Sequence, residues 1–317
     1  MPAAHHRGRG WEPSEGSHVS DLKNKISGRG AAWLAHLTGG QGVAGSNPVA
    51  PTNIVSSKPF ILLSNDDGVM APGISALAEA LANLGDVMVA APDRERSAAS
   101  HSISLDRPLR VDQIRSNVYA IDGTPVDCVY LALLHLVPRR PDLCVSGINN
   151  GFNLGTDVFY SGTVGAALEA TLRGVPAIAL SVERRWPQDF APAADFARRL
   201  VREVLAQGPD AIEPGTLLNV NLPAGPVRGY ALTSMGQRLY RDQVDVREDL
   251  RGRAYYWIGG PEEKGEDAPG SDSAAVRSGL ASITPLSLGL THGPALQRMS
   301  AWNLGSFAEG AAVHAGK

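Results

Sequence analysis

From Pro59 onward, short uninterrupted apolar runs alternate with longer segments in which apolar residues recur every three or four positions. The first run, 60–64, has the length and composition of a strand that is buried on both faces. Pro72 suits the first turn of a helix, and apolar positions follow at helical spacing until Gly85. The apolar run 86–92 predicts a second strand. A strand, a helix and a strand within about 33 residues are typical of the βαβ unit of a parallel sheet.

The same alternation continues through most of the chain. Further helices are predicted at 125–136, 163–173 and 193–206, and further strands at 142–146, 177–181 and 217–221. The segment 147–155 is rich in Gly and Asn and is predicted to be a loop. Beyond about residue 226 the pattern contains more strands and more glycine, with the clearest strands at 255–258 and 281–284. We therefore predict an α/β fold, a Rossmann-like parallel sheet core flanked by helices, with a β-rich C-terminal arm.

Residues 1–58 differ in composition from the rest of the chain. They are rich in Gly, Ser and Ala, and their one short apolar stretch is 31–35. Such a segment buries too little apolar surface to offset its ordering entropy, so it is predicted to be a disordered leader before a single domain, 59–317. The run 42–51 also resembles a translated transfer-RNA gene end. A gene-start error, with the native protein beginning near Lys58, is our hypothesis, and mass spectrometry of the native N-terminus tests it.

Charge, hydropathy and cysteine content exclude several classes of protein. The formal net charge is −3 at pH 7, so no basic excess points to nucleic acid, and the arginine pairs at 139–140 and 184–185 are typical of solvated surface. No apolar run approaches the roughly 18 residues of a membrane-spanning helix, and the first 30 residues lack a secretory signal pattern. Two cysteines, Cys128 and Cys144, are too few for a disulfide framework. We expect a cytoplasmic protein with no nucleic-acid or membrane partner.

Polar side chains follow three of the predicted strands. In an open parallel sheet, ligands bind outside the carboxyl ends of the strands. Asp66 and Asp67 follow the first strand, Ser97 follows the second, and Asn149 follows the strand at 142–146. Adjacent carboxylates in a crevice repel each other unless a cation neutralises them. Hydroxyl and amide oxygens would complete a hard donor set, which favours magnesium, manganese or calcium over zinc.

These residues also have ordinary structural interpretations. Two aspartates before a glycine are typical of a solvated turn, Ser97 of a loop or cap, and Asn149 of a residue in left-handed backbone. Ser161, Gly162 and Thr163 begin a predicted helix, where free amides and hydroxyls suit a phosphate group, but taken alone these residues favour a plain N-cap. A dinucleotide-binding glycine motif, a P-loop and a nucleophile elbow are absent from the sequence.

Six short motifs occur in order along the chain. They are ILLSNDDGV at 61–69, APGI at 71–74, APDR at 91–94 with Ser97, GTPVDC at 123–128, VSGIN at 145–149 and YSGTV at 160–164. Together they resemble the SurE family of stationary-phase survival phosphatases over roughly residues 59 to 300. The resemblance implies a Rossmann-like core and a homodimer or homotetramer in which a C-terminal arm is exchanged between subunits.

The resemblance also implies an activity and a cofactor. It implies a metal-dependent 5'-nucleotidase, similar to acid phosphatases, that hydrolyses nucleoside monophosphates; some members also hydrolyse 3'-nucleotides or polyphosphate. It implies one divalent metal ion per subunit, Mg²⁺ or Mn²⁺. The implied metal ligands match Asp66, Asp67, Ser97 and Asn149.

Within this interpretation, the roles divide between catalysis and phosphate binding. Catalysis is assigned to Asp66 and Asp67. Contacts to the substrate phosphate are assigned to Asn65, Ser161, Gly162 and Thr163. A phospho-aspartyl enzyme that attacks through Asp66 is a weaker interpretation, because such enzymes usually separate their two aspartates by one residue. The alternative from another class is a non-catalytic nucleotide or metal sensor on the same fold.

One segment departs from the family pattern. Some members carry an Asp and a His four residues apart after an Ile-Thr-Pro-Leu segment, which is present here at 283–286. Gly289 lies where that Asp would be, and His292 is one residue away from the matching position. A catalytic role for His292 is therefore left open.

Overall fold

The computed structural model describes residues 58–237, 243–259 and 268–302, all within one unit, Ser56–Lys317. Apart from Lys58, the predicted leader and the gene-start hypothesis lie outside these residues. In the described part of the chain, no helix combines the length and the apolar content needed to cross a membrane. The longest helix has 17 residues and a polar outer face.

Strands and helices alternate through much of the described chain, as the sequence pattern predicts, but some strands follow one another without an α-helix between them. The strands are β1 (Phe60–Ser64), β2 (Asp86–Pro92), β3 (Val111–Arg115), β4 (Val118–Ile121), β5 (Leu143–Asn150), β6 (Ala177–Val182), β7 (Thr216–Leu222), β8 (Tyr230–Leu232), β9 (Gln243–Glu248), β10 (Ala254–Gly259) and β11 (Ala281–Ser287). The α-helices are α1 (Pro72–Leu81), α2 (Pro125–Leu131), α3 (Gly162–Leu172), α4 (Ala191–Gln207), α5 (Asp272–Arg277) and α6 (Gly293–Met299). A π-helical segment, Ala132–Leu136, continues α2, and a short 3-10 helix spans Gly155–Phe159.

Nine of these strands form one sheet, in the order β3-β4-β2-β1-β5-β6-β7-β11-β8. The six adjacent strands from β4 to β7 are parallel, whereas β3 and β11 pair antiparallel with β4 and β7. The chain moves outward from β1 to β2 and β4, and then returns through α2 to β5 on the other side of β1. The strand order therefore reverses between β1 and β5, and such reversal points are where open α/β sheets bind ligands.

The sheet is buried between two layers of helices. Along β1, Ile61 and Leu63 pack in the cluster that contains α1 and α4, while Phe60 and Leu62 pack with α2 and α3. A strand covered on both faces needs apolar residues at every position, which explains its uninterrupted apolar run. This arrangement confirms the predicted α/β Rossmann-like fold.

Both cysteines lie in the second of these clusters. Cys128 and Cys144 are free and fully buried, as expected of core residues. Burial raises the pKa of the Cys128 thiol and raises that of Cys144 to about 12. Neither thiol is therefore set up as a nucleophile.

The structure differs from the predicted strands in three places. The sequence pattern did not predict β3 and β4, because β3 is exposed along its whole length and lacks an apolar run. The segment predicted to be a loop from 147 onward continues β5 to Asn150, because a bulge between Ser146 and Asn149 allows the strand to keep pairing with β6. In the C-terminal region, β8 and β11 belong to the main sheet, and the hairpin of β9 and β10 forms a separate two-stranded sheet with exposed side chains. A short apolar run does not specify the sheet in which it pairs.

Candidate active site

The first acidic residue of the site, Asp66, follows β1 and is only 6% exposed. Its carboxylate accepts hydrogen bonds from the hydroxyl and the backbone N–H of Thr163, the second residue of α3. Burial raises the pKa of Asp66 to about 6; the Thr163 hydrogen bonds oppose this shift, and the charge of Asp67 adds to it. Both Thr163 donors to this buried carboxylate are neutral groups.

Its neighbour, Asp67, is half-buried. One oxygen, Oδ2, accepts a hydrogen bond of 3.2 Å from the backbone N–H of Asn150, at the end of β5. Burial raises the pKa of Asp67, and Glu95 raises it further, whereas the Asn150 hydrogen bond and the charge of Arg184 lower it. Two adjacent carboxylates with raised pKa values lie where the strand order reverses, an arrangement that a bound cation would stabilise.

The other two predicted metal ligands reach the same cavity. Asn149 follows the β5 bulge, and its Nδ2 donates to the carbonyl of Gly151 at 2.8 Å, which leaves Oδ1 as its ligand atom. Ser97 is exposed in the loop after β2 and donates to Glu95 Oε1 at 2.6 Å. Together with the two aspartates, both residues line a cavity of about 540 Å³. We call it the acidic cavity.

The chemistry of this donor set fits a hard divalent cation. Two carboxylates, an amide oxygen and a hydroxyl are the oxygen ligands that Mg²⁺ and Mn²⁺ accept, and they leave coordination positions for water or a substrate oxygen. Among the described residues, no group of three or more His, Cys, Asp and Glu side chains is arranged to hold a metal ion. A site rich in nitrogen and sulfur ligands is therefore not supported in this part of the chain, and metal binding by the four oxygen donors stays a prediction.

Of the residues predicted to bind phosphate, Ser161 lies on the wall of the acidic cavity. It is the N-cap of α3, and its Oγ accepts from the Val164 N–H at 3.0 Å. Thr163 is fully buried and donates to Asp66. Gly162 packs directly against Asp66, where an added Cβ would lie 3.0 Å from the aspartate Cβ. The start of α3 therefore positions Asp66, and phosphate contacts by these three residues stay a prediction.

The fourth predicted phosphate ligand, Asn65, is fully buried beneath the acidic turn. Its Nδ2 donates to the carbonyl of Gly68 at 2.9 Å, and its Oδ1 accepts from the Gly68 N–H at 3.2 Å. Both ends of the amide therefore close the turn that carries Asp66 and Asp67. The second hydrogen of Nδ2 is left as its donor toward a phosphate, and a phosphate contact by Asn65 stays a prediction.

Arg184 is exposed, as predicted, and it also lines the acidic cavity, which the sequence pattern did not predict. Its Nε donates to the carbonyl of Asn150 at 2.9 Å. The position of Arg184 in the sequence could have indicated this, because it comes two residues after the end of β6, at the same edge of the sheet as the other site residues. Tyr160 and Phe152 are aromatic residues on the wall of the cavity, where they offer apolar ring surface.

His292 lies outside the described wall of the acidic cavity. It is exposed and is the N-cap of α6, where its Nδ1 accepts from the backbone N–H of Ala295 at 3.0 Å. This hydrogen bond gives His292 a structural role as the cap of α6.

A second cavity, of about 870 Å³, shares Phe152 with the first but contains none of the predicted site residues. Its wall includes Arg185, Arg228 and Arg277. Arg185 pairs with Glu183 at 3.4 Å. The two adjacent arginines, Arg184 and Arg185, therefore lie on different cavities.

The fold and the site define an α/β protein with an oxygen-lined cavity at the reversal point of a parallel sheet. The chain belongs to the SurE family: the family model described as "Survival protein SurE" matches residues 61–242. The predicted membership in this family is thereby confirmed.

Curated relatives and a solved structure agree with this assignment. The 5'-nucleotidase SurE of Myxococcus xanthus is 52% identical over 257 residues, which cover 80% of this chain and 97% of the relative. That of Anaeromyxobacter dehalogenans is 53% identical over 247 residues, which cover 77% and 96%. The crystal structure of the Sure protein from Aquifex aeolicus matches with a TM-score of 0.69 and 41% identity, over 76% of this chain and 98% of that one. The names of these relatives support the predicted enzyme class.

Proposed function

We propose that this chain is a metal-dependent 5'-nucleotidase that hydrolyses nucleoside monophosphates to nucleoside and phosphate. The observation that carries the proposal is the convergence of Asp66, Asp67, Ser97 and Asn149 on one cavity at the reversal point of the sheet. The curated relatives named 5'-nucleotidase SurE support it. The proposal includes 3'-nucleotides and polyphosphate as further substrates.

The mechanism follows from the charge of the substrate. A phosphate monoester carries up to two negative charges, so its hydrolysis depends on positioning and charge neutralisation. A divalent ion held by the four oxygen ligands would neutralise phosphate charge and lower the pKa of bound water. Asp66 is fixed by Thr163, which suits it to hold the ion in one position. Asp67 is more accessible. Its Oδ2 accepts the Asn150 hydrogen bond and its Oδ1 does not, so we assign Oδ1 as the acceptor of the water proton.

The N-terminus of α3 is assigned to the substrate phosphate. Ser161 lies on the cavity wall at this end of the helix, where the helix dipole favours an anion. The substrate phosphate would then be bound between the acidic turn and α3.

The proposal also covers assembly and location, as a cytoplasmic homodimer or homotetramer. The hairpin of β9 and β10 supports an oligomer, because it exposes a run of large apolar side chains, Tyr255, Tyr256, Trp257 and Ile258. Exposed apolar patches of this kind mark protein interfaces.

Phosphate release from a panel of 5'- and 3'-nucleoside monophosphates and polyphosphate tests the activity. We expect release with Mg²⁺ or Mn²⁺, a loss of at least about 100-fold with a chelator, and recovery when metal is added back. Circular dichroism shows whether the chelated protein stays folded. If folded, metal-loaded protein binds nucleotides but releases no phosphate, the sensor interpretation replaces the enzyme.

Replacing Thr163 with Val tests how Asp66 is positioned. The variant keeps the shape of the side chain but removes the hydroxyl donor. Because a hydrogen bond to a charged group contributes about 1.5 to 3 kcal/mol, we expect kcat to fall by about 10- to 150-fold. Thr171→Val is the matched control, since the Thr171 hydroxyl is also buried in α3 and donates to the Ala167 carbonyl. Equal losses of kcat in both variants would show general damage to α3 instead.

A further inference from the structure

We propose that Arg184 binds the phosphate group of the substrate, whereas its neighbour Arg185 does not. The inference rests on the proposed function and adds a specific cationic contact to it. Neither residue lies in one of the six motifs that carry the family resemblance.

The order of the strands brings Arg184 to the site. β1, β5 and β6 are adjacent and parallel, so their carboxyl ends lie side by side at one edge of the sheet. Asp66 and Asp67 come from the end of β1, Asn149 from the end of β5, and Arg184 from the end of β6. The carboxylate pair, the amide and the guanidinium thus occupy three successive strand ends around one cavity.

The guanidinium of Arg184 is oriented by one hydrogen bond. Its Nε donates to the Asn150 carbonyl at 2.9 Å, a contact that leaves the two terminal nitrogens for another partner. Gly151 lies beneath the guanidinium, and a Cβ built on Gly151 would lie 3.8 Å from Nη2. The pair of terminal N–H groups is the edge with which arginine binds phosphate in a bidentate manner.

The charges around the cavity favour this contact. The acidic side chains on the described wall are Asp66, Asp67 and Asp157, and Arg184 is the one Lys or Arg on that wall. A nucleotide phosphate that enters an acidic cavity needs positive charge beyond that of the metal ion, and Arg184 supplies it.

Arg185 provides the contrast within the same loop. Both arginines are exposed, but the Arg185 guanidinium pairs with Glu183 at 3.4 Å and lines the second cavity. Its backbone N–H donates to Gln188 Oε1 at 2.8 Å. A change at Arg185 therefore removes the same charge from the same loop without changing the acidic cavity.

The test compares Arg184→Gln with Arg185→Gln in the metal-loaded, full-length protein. For Arg184→Gln we expect the KM of a hydrolysed nucleoside monophosphate and the inhibition constant of inorganic phosphate to rise about 10- to 100-fold, with kcat within about threefold of wild type. Arg185→Gln is expected to change both constants by less than about twofold. Arg184→Lys keeps the charge without the bidentate edge and is expected to lie between wild type and Arg184→Gln.

Three results would overturn the assignment. One is a KM for Arg184→Gln within twofold of wild type, and another is an equal rise in KM for Arg185→Gln. The third is a fall in kcat with KM and phosphate inhibition unchanged, which would mean that Arg184 acts only through Asn150 and the end of β5. If the wild type hydrolyses no nucleotide, the proposed function fails separately, and calorimetric binding of inorganic phosphate to the same metal-loaded variants still decides the role of Arg184.

Discussion

Replacing Asp66 with Asn is expected to lower kcat for nucleotide hydrolysis by about 1,000-fold, since electrostatic contacts at the reacting group carry much of such a barrier. The carboxylate is 6% exposed and is held by the hydroxyl and N–H of Thr163. Asn has the same shape but no charge, so metal affinity falls together with turnover. Phosphate release at saturating Mn²⁺ and calorimetric metal titration measure the two effects.

The matched control for this variant is Asp93→Asn. Asp93 follows β2 at the same edge of the sheet, but it is exposed, pairs with Arg96 at 3.3 Å and is absent from the wall of the acidic cavity. We expect its turnover and metal affinity to stay near wild type, because surface ion pairs contribute little. An Asp66→Asn protein that keeps a tenth or more of wild-type kcat would remove Asp66 from the catalytic assignment.

Replacing Gly162 with Ala is expected to lower kcat by about 100-fold and the free energy of unfolding by about 1 to 3 kcal/mol. The new methyl group would lie 3.0 Å from Asp66 Cβ, 3.1 Å from Asp66 Oδ2 and 3.1 Å from Pro125 Cγ. Pro125 belongs to α2 and has a rigid ring, so Asp66 has to move. Urea unfolding and phosphate release, measured on the same preparation, separate the loss of stability from the loss of activity.

Gly293→Ala is the control for the added methyl group. Gly293 is the first residue of α6, and a Cβ built there meets no atom within 4 Å. Both its kcat and its free energy of unfolding are expected to match wild type. If Gly162→Ala loses stability but keeps wild-type kcat, the close approach of α3 to Asp66 serves packing alone.

Most of the parallel core was predictable from the local pattern. The boundaries of β1 match the run 60–64, and α3 and β6 lie within one residue of their predicted ends. Burial on both faces requires apolar residues at every position of a strand, and an amphipathic helix requires helical spacing, so each element carries its own signal. The capping box of Thr124 and Asp127 at the start of α2 is equally local, because both partners lie within three residues.

The pairing of distant segments was harder to predict from the sequence pattern. The continuation of β5 to Asn150 depends on a bulge against β6, and the position of β11 depends on its antiparallel pairing with β7. Gly and Asn are typical of loops, so their pattern predicted the end of β5 too early. The neighbour of a strand is set by how the whole sheet packs, and a local run carries little information about that.

The acidic turn after β1, the oxygen donors after the next strands and the membership in the SurE family all follow from the order of residues along the chain. The contacts of each residue depend on the folded structure. From its place at the start of a helix, Thr163 was predicted to be a helix cap or a phosphate ligand. In the structure its hydroxyl donates to Asp66, 97 positions earlier in the chain. Arg184 and Arg185 are adjacent and of the same residue type, but they line different cavities. Residue type and spacing report local geometry and burial, whereas the partner of a polar group depends on segments that folding brings together from distant parts of the chain.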